Sequence, residues 1–107
     1  MIFNVNGNVW KLKFVNPTNI NLKRSNNSYA LGVTDNNVKT VYIANNLHLA
    51  LRRKVLLHEL THVHAMEYNY YMPIEVEEIV ADFMSLYGTD IVFLADDILK
   101  NIITGVA

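Results

Sequence analysis

From Asn45 to Tyr68 the chain contains neither glycine nor proline, and in the middle of that run stand His58-Glu59-Leu60-Thr61-His62. A helix capped by Asn45 or Asn46 and running to about Tyr68 is expected, because such residues give it a start and nothing inside interrupts it. Val55-Leu56-Leu57 is apolar on several sides, so most of the helix circumference should be buried. On a helix, two imidazoles four residues apart lie about 40° apart around the axis and roughly 6 Å apart along it. Both rings can therefore reach one zinc ion, with Glu59 close enough to act as general base on a water. The spacing suits zinc-dependent hydrolysis of peptides, and it obliges the rest of the chain to supply a third ligand.

Composition narrows what that ligand can be. There is no cysteine among the 107 residues, which excludes disulfides and thiolate metal sites and leaves histidine and carboxylates. The extended motif H-E-x-x-H-x-x-G-x-x-H is absent, since Ala65 and Tyr68 occupy its glycine and last histidine positions. His64 is the last histidine, and in helical phase it points about 200° away from His62. His48 is about 80° off the face of His58, which makes it a surface or packing residue.

Apolar residues make up 51% and charged residues 18%, with a formal net charge of −1, a globular balance with no broad phosphate-binding surface. No nucleic-acid partner is expected, and Arg52-Arg53-Lys54 reads as a solvated helix face. The first residues carry no secretory signal, and no window is apolar enough to span a membrane, so a cytoplasmic location is expected.

The order of patterns implies α+β architecture in a single domain over 1–107, β-rich over 1–45 and helical over 46–104. Ile2 to Val5 and Val9 to Val15 flank Asn6-Gly7, a dipeptide suited to a tight hairpin turn, with Phe3, Trp10 and Phe14 as hairpin core. Asn16 to Ser28 reads as loop. Tyr29 to Thr34 and Val38 to Ala44 form a second strand pair, the latter a candidate edge strand that could hold an extended peptide. Pro73 opens a second helix that Gly88 can end, with Ile79, Phe83 and Leu86 as its core-facing stripe. A third helix, capped by Thr89 or Asp90, runs from Ile91 to about Ile103, and its apolar spacing most simply closes the core, with any exposed remainder available to a dimer.

The third ligand should come from the second helix. Glu78 and Asp82 are spaced i, i+4 and share a face bordering the apolar stripe. One of the two can bind zinc while the other accepts a hydrogen bond from a ligand imidazole. Glu75, nearer the turn, is the rival ligand.

His58-Glu59-x-x-His62 followed by Glu78-x-x-x-Asp82 resembles the gluzincin pattern of zinc peptidases. More closely, the chain resembles the small phage-associated members of the ImmA/IrrE-like metallopeptidase group. Leu31-Gly32-Val33-Thr34-Asp35, Thr40-Val41-Tyr42-Ile43, Arg53 to His62, Glu77-Glu78 to Asp82 and Tyr87-Gly88 carry the likeness, which covers most of residues 29 to 94. The resemblance implies a zincin-like fold with His58, His62 and Glu78 as ligands of one zinc. It makes Glu59 the catalytic base and Asp82 the partner of a ligand histidine. It also implies a peptide or protein substrate, such as a regulatory protein. The interval from His62 to Glu78 is short for larger gluzincins and leaves less room for a cleft.

An active enzyme would need a further donor for the oxyanion, with Tyr68, Tyr70 and Tyr71 as candidates. The alternative is a zinc-holding module that docks a partner with little or no catalysis.

Overall fold

The structure, a computed structural model, describes residues 1–103, with side chains to residue 102. Residue 104, the last of the expected helical part, lies outside the described residues. Strands β1 (Ile2–Val5) and β2 (Asn8–Val15) form a hairpin in which Phe3 pairs with Trp10. Asn6 and Gly7 at its turn both have positive φ, 52° and 80°, as a two-residue hairpin of this twist requires. Strands β3 (Gly32–Asp35) and β4 (Thr40–Ala44) form the second antiparallel pair. The third strand thus begins at Gly32 rather than Tyr29, because Tyr29 bridges back to Lys23 at the end of the preceding loop.

The two hairpins join through a parallel pairing of β2 with β4, giving one mixed sheet of order β1-β2-β4-β3. Two corrections to the sequence reading follow. The sheet is mixed rather than a set of antiparallel hairpins, the long polar segment after β2 serving as the crossover that parallel strands require. And β4 is an inner strand, buried along its whole length, so the free edge beside the helices belongs to β3.

Register assigns the faces. Leu12 is opposite Val41, and Thr34 is opposite Val41 on the other side. Residues directly opposite share a face, so Trp10, Leu12, Val41, Ile43, Gly32 and Thr34 all look the same way, toward helix α1 (Leu49–Glu67). Trp10, Val41, Ile43 and Val63 are fully enclosed there. Phe14 is half exposed rather than core; it lies near the edge of α1, with the Arg52 guanidinium 5.5 Å from its ring centre. Arg53 and Lys54 are exposed as expected of a solvated face.

Helix α1 starts later than expected. His48, not Asn45 or Asn46, caps it, its Nδ1 accepting from the Leu51 amide at 3.3 Å. The helix C-terminus is tied to the sheet by Glu67. One carboxylate oxygen accepts from the Trp10 indole at 2.7 Å and from Lys39 Nζ at 2.9 Å, the other accepts from Asn8, and the Glu67 carbonyl accepts from Asn6 at 3.0 Å. Lys39 also lies over the Trp10 ring, 5.2 Å from its centre.

Beyond a short loop, α2 (Ile74–Phe83) runs back along α1. It does not stop at Gly88. A π-helical segment, Met84–Gly88, carries it directly into α3 (Thr89–Ile103). The side that meets α1 contains Glu77, Val80, Ala81 and Gly88, while Ile79, Phe83 and Leu86 point to solvent, the reverse of the expected stripe. Nor does α3 close the core; Ile91, Leu94, Ile98, Leu99 and Ile102 are about half exposed. No helix among the described residues is long and apolar enough to cross a membrane.

Hydrogen bonds from Lys39 and Trp10 hold the Glu67 carboxyl below its ordinary range. A carboxyl with a lowered folded-state pKa stabilises the fold above its unfolded value and loses that contribution as pH falls toward the folded one. The melting temperature should therefore drop on acidification through the carboxylate range. Glu67→Gln should melt lower at neutral pH, and its deficit should narrow in acid, as thermal unfolding followed by circular dichroism at several pH values will record.

Candidate functional site

The sequence places His58, Glu59 and His62 on one stretch of α1, and α2 brings carboxylates across it. His58 Nε2 and His62 Nε2 are 3.2 Å apart, and they lie 3.2 Å and 2.9 Å from the two carboxylate oxygens of Glu78. One ligand atom from each of the three residues falls within 4.8 Å of the other two. Glu75, the rival, is exposed and outside this group.

The far sides of both rings are also engaged. His58 Nδ1 lies 2.9 Å from Asp82 Oδ1, the relation expected of that residue. His62 Nδ1 lies 2.7 Å from Glu77 Oε2. An ionised carboxylate only accepts, so each Nδ1 carries the proton and donates it outward. A neutral ring then turns its Nε2 lone pair inward, toward the other Nε2 and the Glu78 oxygens, whereas a protonated ring donates from Nε2 to Glu78. With both rings neutral, four acceptors converge with no donor among them, an arrangement that a cation can relieve. Two imidazoles and a carboxylate form a donor set that zinc accepts, with a coordination position left over.

Glu59 stands beside this group, its Oε2 4.0 Å from His58 Nε2, and is 6% exposed. Burial raises its pKa above the ordinary carboxylate value, while the Thr34 hydroxyl, donating to Oε1 at 3.0 Å, and the two histidines pull it back. The Thr34 hydroxyl also reaches the Glu59 carbonyl, at 3.3 Å. Edge strand β3 is thereby fastened to α1 at the residue between the histidine pair.

That closeness requires Gly32. A Cβ added there would come 2.7 Å from Val55 Cγ1 and 3.0 Å from Glu59 Cγ. On either side of the crossing open two clefts of about 250 and 300 Å³, which share Gly32, His58 and Glu59 in their walls. Arg24 lines both, and no hydrogen bond or ion pair of its side chain accompanies it among the described residues.

The tyrosines fall elsewhere. Tyr68 and Tyr70 border an apolar groove on the opposite side of α1, and Tyr71 is 93% exposed, so none of the three reaches the cluster. His64 points away as its phase requires, donating to the Leu60 carbonyl at 2.7 Å and stacking on Tyr68. Three contributors escaped the sequence reading. Glu77 could have been found from its i, i+4 relation to Ala81 had the buried side of α2 been placed correctly. Arg24 and Thr34 come from distant segments, and no local signal announces them.

Gly32→Ala should destabilise the fold by about 1–3 kcal/mol, since Val55 is short and branched and packs against the core, leaving it little room to yield. Thermal melts of the two proteins check this, and an unchanged midpoint would mean that β3 can lift from α1 freely.

Comparison with protein-family models, with curated proteins and with solved structures found no match to this chain.

Proposed function

We propose that the chain is a zinc-dependent peptidase of minimal size, in which His58, His62 and Glu78 hold the metal and Glu59 is the general base. The observation that carries this reading is the convergence of two Nε2 atoms and a carboxylate beside a buried glutamate, under the free edge of a sheet. A zinc ion bound there supplies activation of water and polarisation of a carbonyl.

The remaining work falls to the chain. An extended peptide adds to β3 as a further strand, which lays its backbone across the Gly32–Glu59 crossing. Glu59, its pKa raised by burial, takes a proton from the attacking water and returns it to the leaving amine. Thr34 holds the Glu59 carboxylate in place through that exchange. Asp82 and Glu77 fix the ring orientations of His58 and His62. Arg24, a cation between the two clefts, takes the oxyanion role that the tyrosines are too distant to fill.

A second reading has its own support: clefts of about 250 and 300 Å³ are small for a substrate. On that reading the chain holds zinc and docks a partner through β3 without cleaving it.

Zinc titration should give one ion per chain, lost in His58→Ala and weakened about 10–100-fold in Glu77→Gln. Unaltered affinity in both variants would remove the metal from the proposal. On a peptide library, Glu59→Gln should keep its zinc and lose cleavage. Zinc binding with no cleavage by the wild-type chain would favour the docking module. Arg24→Ala should lower kcat by about 10²-fold with a smaller change in KM; equal rates would exclude it from the reaction.

A further inference from the structure

The three consecutive cations of α1, Arg52, Arg53 and Lys54, have different surroundings. Arg52 donates to the Leu47 carbonyl at 3.2 Å and Arg53 to the Thr89 hydroxyl at 2.8 Å. Lys54 is exposed, and no hydrogen bond or ion pair holds its ammonium among the described residues. It lines the cleft of about 250 Å³ beside His58 and Glu59. Lys54 precedes His58 by one helical turn, about 6 Å along the axis, so the two share a face of α1. Arg24 reaches the same cleft from the loop after β2. Its backbone is fixed in a tight turn: its amide donates to the Ser28 carbonyl at 2.7 Å, and its carbonyl accepts from the Asn27 amide at 3.0 Å. The bridge of Lys23 with Tyr29 and the fully buried Leu22 anchor that turn.

The two clefts that flank the Gly32–Glu59 crossing therefore differ in charge. Each has Arg24 and two carboxylates in its wall. In the first cleft the carboxylates are Glu59 and Asp82, already engaged by Thr34 and His58, and Lys54 supplies a second cation. In the second they are Glu77 and Glu78, and its lining contains no lysine or arginine other than Arg24 among the described residues. A peptide laid along β3 passes from one cleft to the other, so its residues on the two sides of the crossing meet unlike fields.

We propose that the first cleft is a subsite for a carboxylate of the substrate, held by the Lys54 ammonium with Arg24 adding to the field from between the clefts. This rests on the peptidase reading and names its substrate class: extended peptides with a carboxylate, from an acidic side chain or the C-terminus, close to the bond that faces the histidine pair. The turn separating Lys54 from His58 is a distance that two extended residues span, which places the carboxylate within about two residues of that bond. A cleft of about 250 Å³ is too small to enclose a whole ligand and suits one side chain of a peptide whose backbone stays on the strand. The second cleft reinforces the choice, because a peptide bound in the wrong register sets its carboxylate beside Glu77 and Glu78. Lys54 is in the first cleft alone, so the preference depends on it, whereas Arg24 serves both.

Binding to the zinc-loaded Glu59→Gln protein tests this without turnover, by the fluorescence anisotropy of labelled peptides. An apolar parent decapeptide carries a single Glu, Gln or Lys at each position in turn, with its C-terminus free or amidated. At one position Glu should bind about fivefold more tightly than Gln, and Lys more weakly than both. Adding Lys54→Gln to the protein should bring Glu level with Gln there, and adding Lys54→Glu should make Lys the tightest. Both proteins should keep one zinc and bind the parent peptide as before. A gain from the free C-terminus over the amide, with none from an internal Glu, would identify the carboxylate as that of the chain end, and the same Lys54 variants should abolish it. The proposal is overturned if Glu, Gln and Lys bind alike at every position while acid and amide also bind alike, or if the preference for a carboxylate survives Lys54→Glu. Failure of every peptide to bind, the parent included, would instead overturn the peptidase reading, and the subsite with it.

Discussion

The position of every element near the candidate site depends on one buried carboxylate, that of Glu67. It ends α1 and is nearly enclosed, a setting unfavourable to an ion without partners. Three donors offset this, and all three come from the sheet side: the Trp10 indole, Lys39 and Asn8. Trp10 and Asn8 belong to β2, and Lys39 immediately precedes β4. Satisfying the carboxylate therefore fixes where α1 lies across the two inner strands. The second fastening, Thr34 to Glu59, then sets the distance between α1 and the edge strand. His62 sits between these two points, and His58 one residue beyond the second, on a helix that is held at both.

From that frame the order within the site follows. Each imidazole is engaged on both sides, outward by its own carboxylate and inward by Glu78. The outward contacts differ in environment, since Asp82 is 70% exposed and Glu77 only 12%. His62 is accordingly held in a drier setting than His58. The two rings are alike in the motif and unlike in the molecule.

Much of this was legible in the residues, and the failures share a cause. Helical phase alone aligned His58 with His62 and Glu78 with Asp82, because i, i+4 relations are local. Asn6-Gly7 likewise specified its own turn. What misled was the assumption that an apolar stripe faces the core. On α2 the stripe of Ile79, Phe83 and Leu86 faces outward, so the side that meets α1 was misplaced and Glu77 was overlooked. The parallel β2–β4 pairing was beyond reach for a different reason: it joins segments some thirty residues apart through a loop with no pattern of its own. That pairing made β4 central and gave the free edge to β3. The place of Arg24 depends on the same loop.

The absence of a break at Gly88 has a mechanical consequence. Glu78 and Asp82 stand on the same uninterrupted rod as α3, which extends roughly 30 Å beyond them. Such a rod is a lever. Whatever grips its distal end exerts a torque on the two carboxylates that face the imidazoles, and the grip is magnified by the length of the arm. The five π-helical residues between are the point of compliance, where a wider turn can absorb part of the twist. In this chain the geometry of the His58–His62–Glu78 cluster and the load on a remote helix are not separate matters.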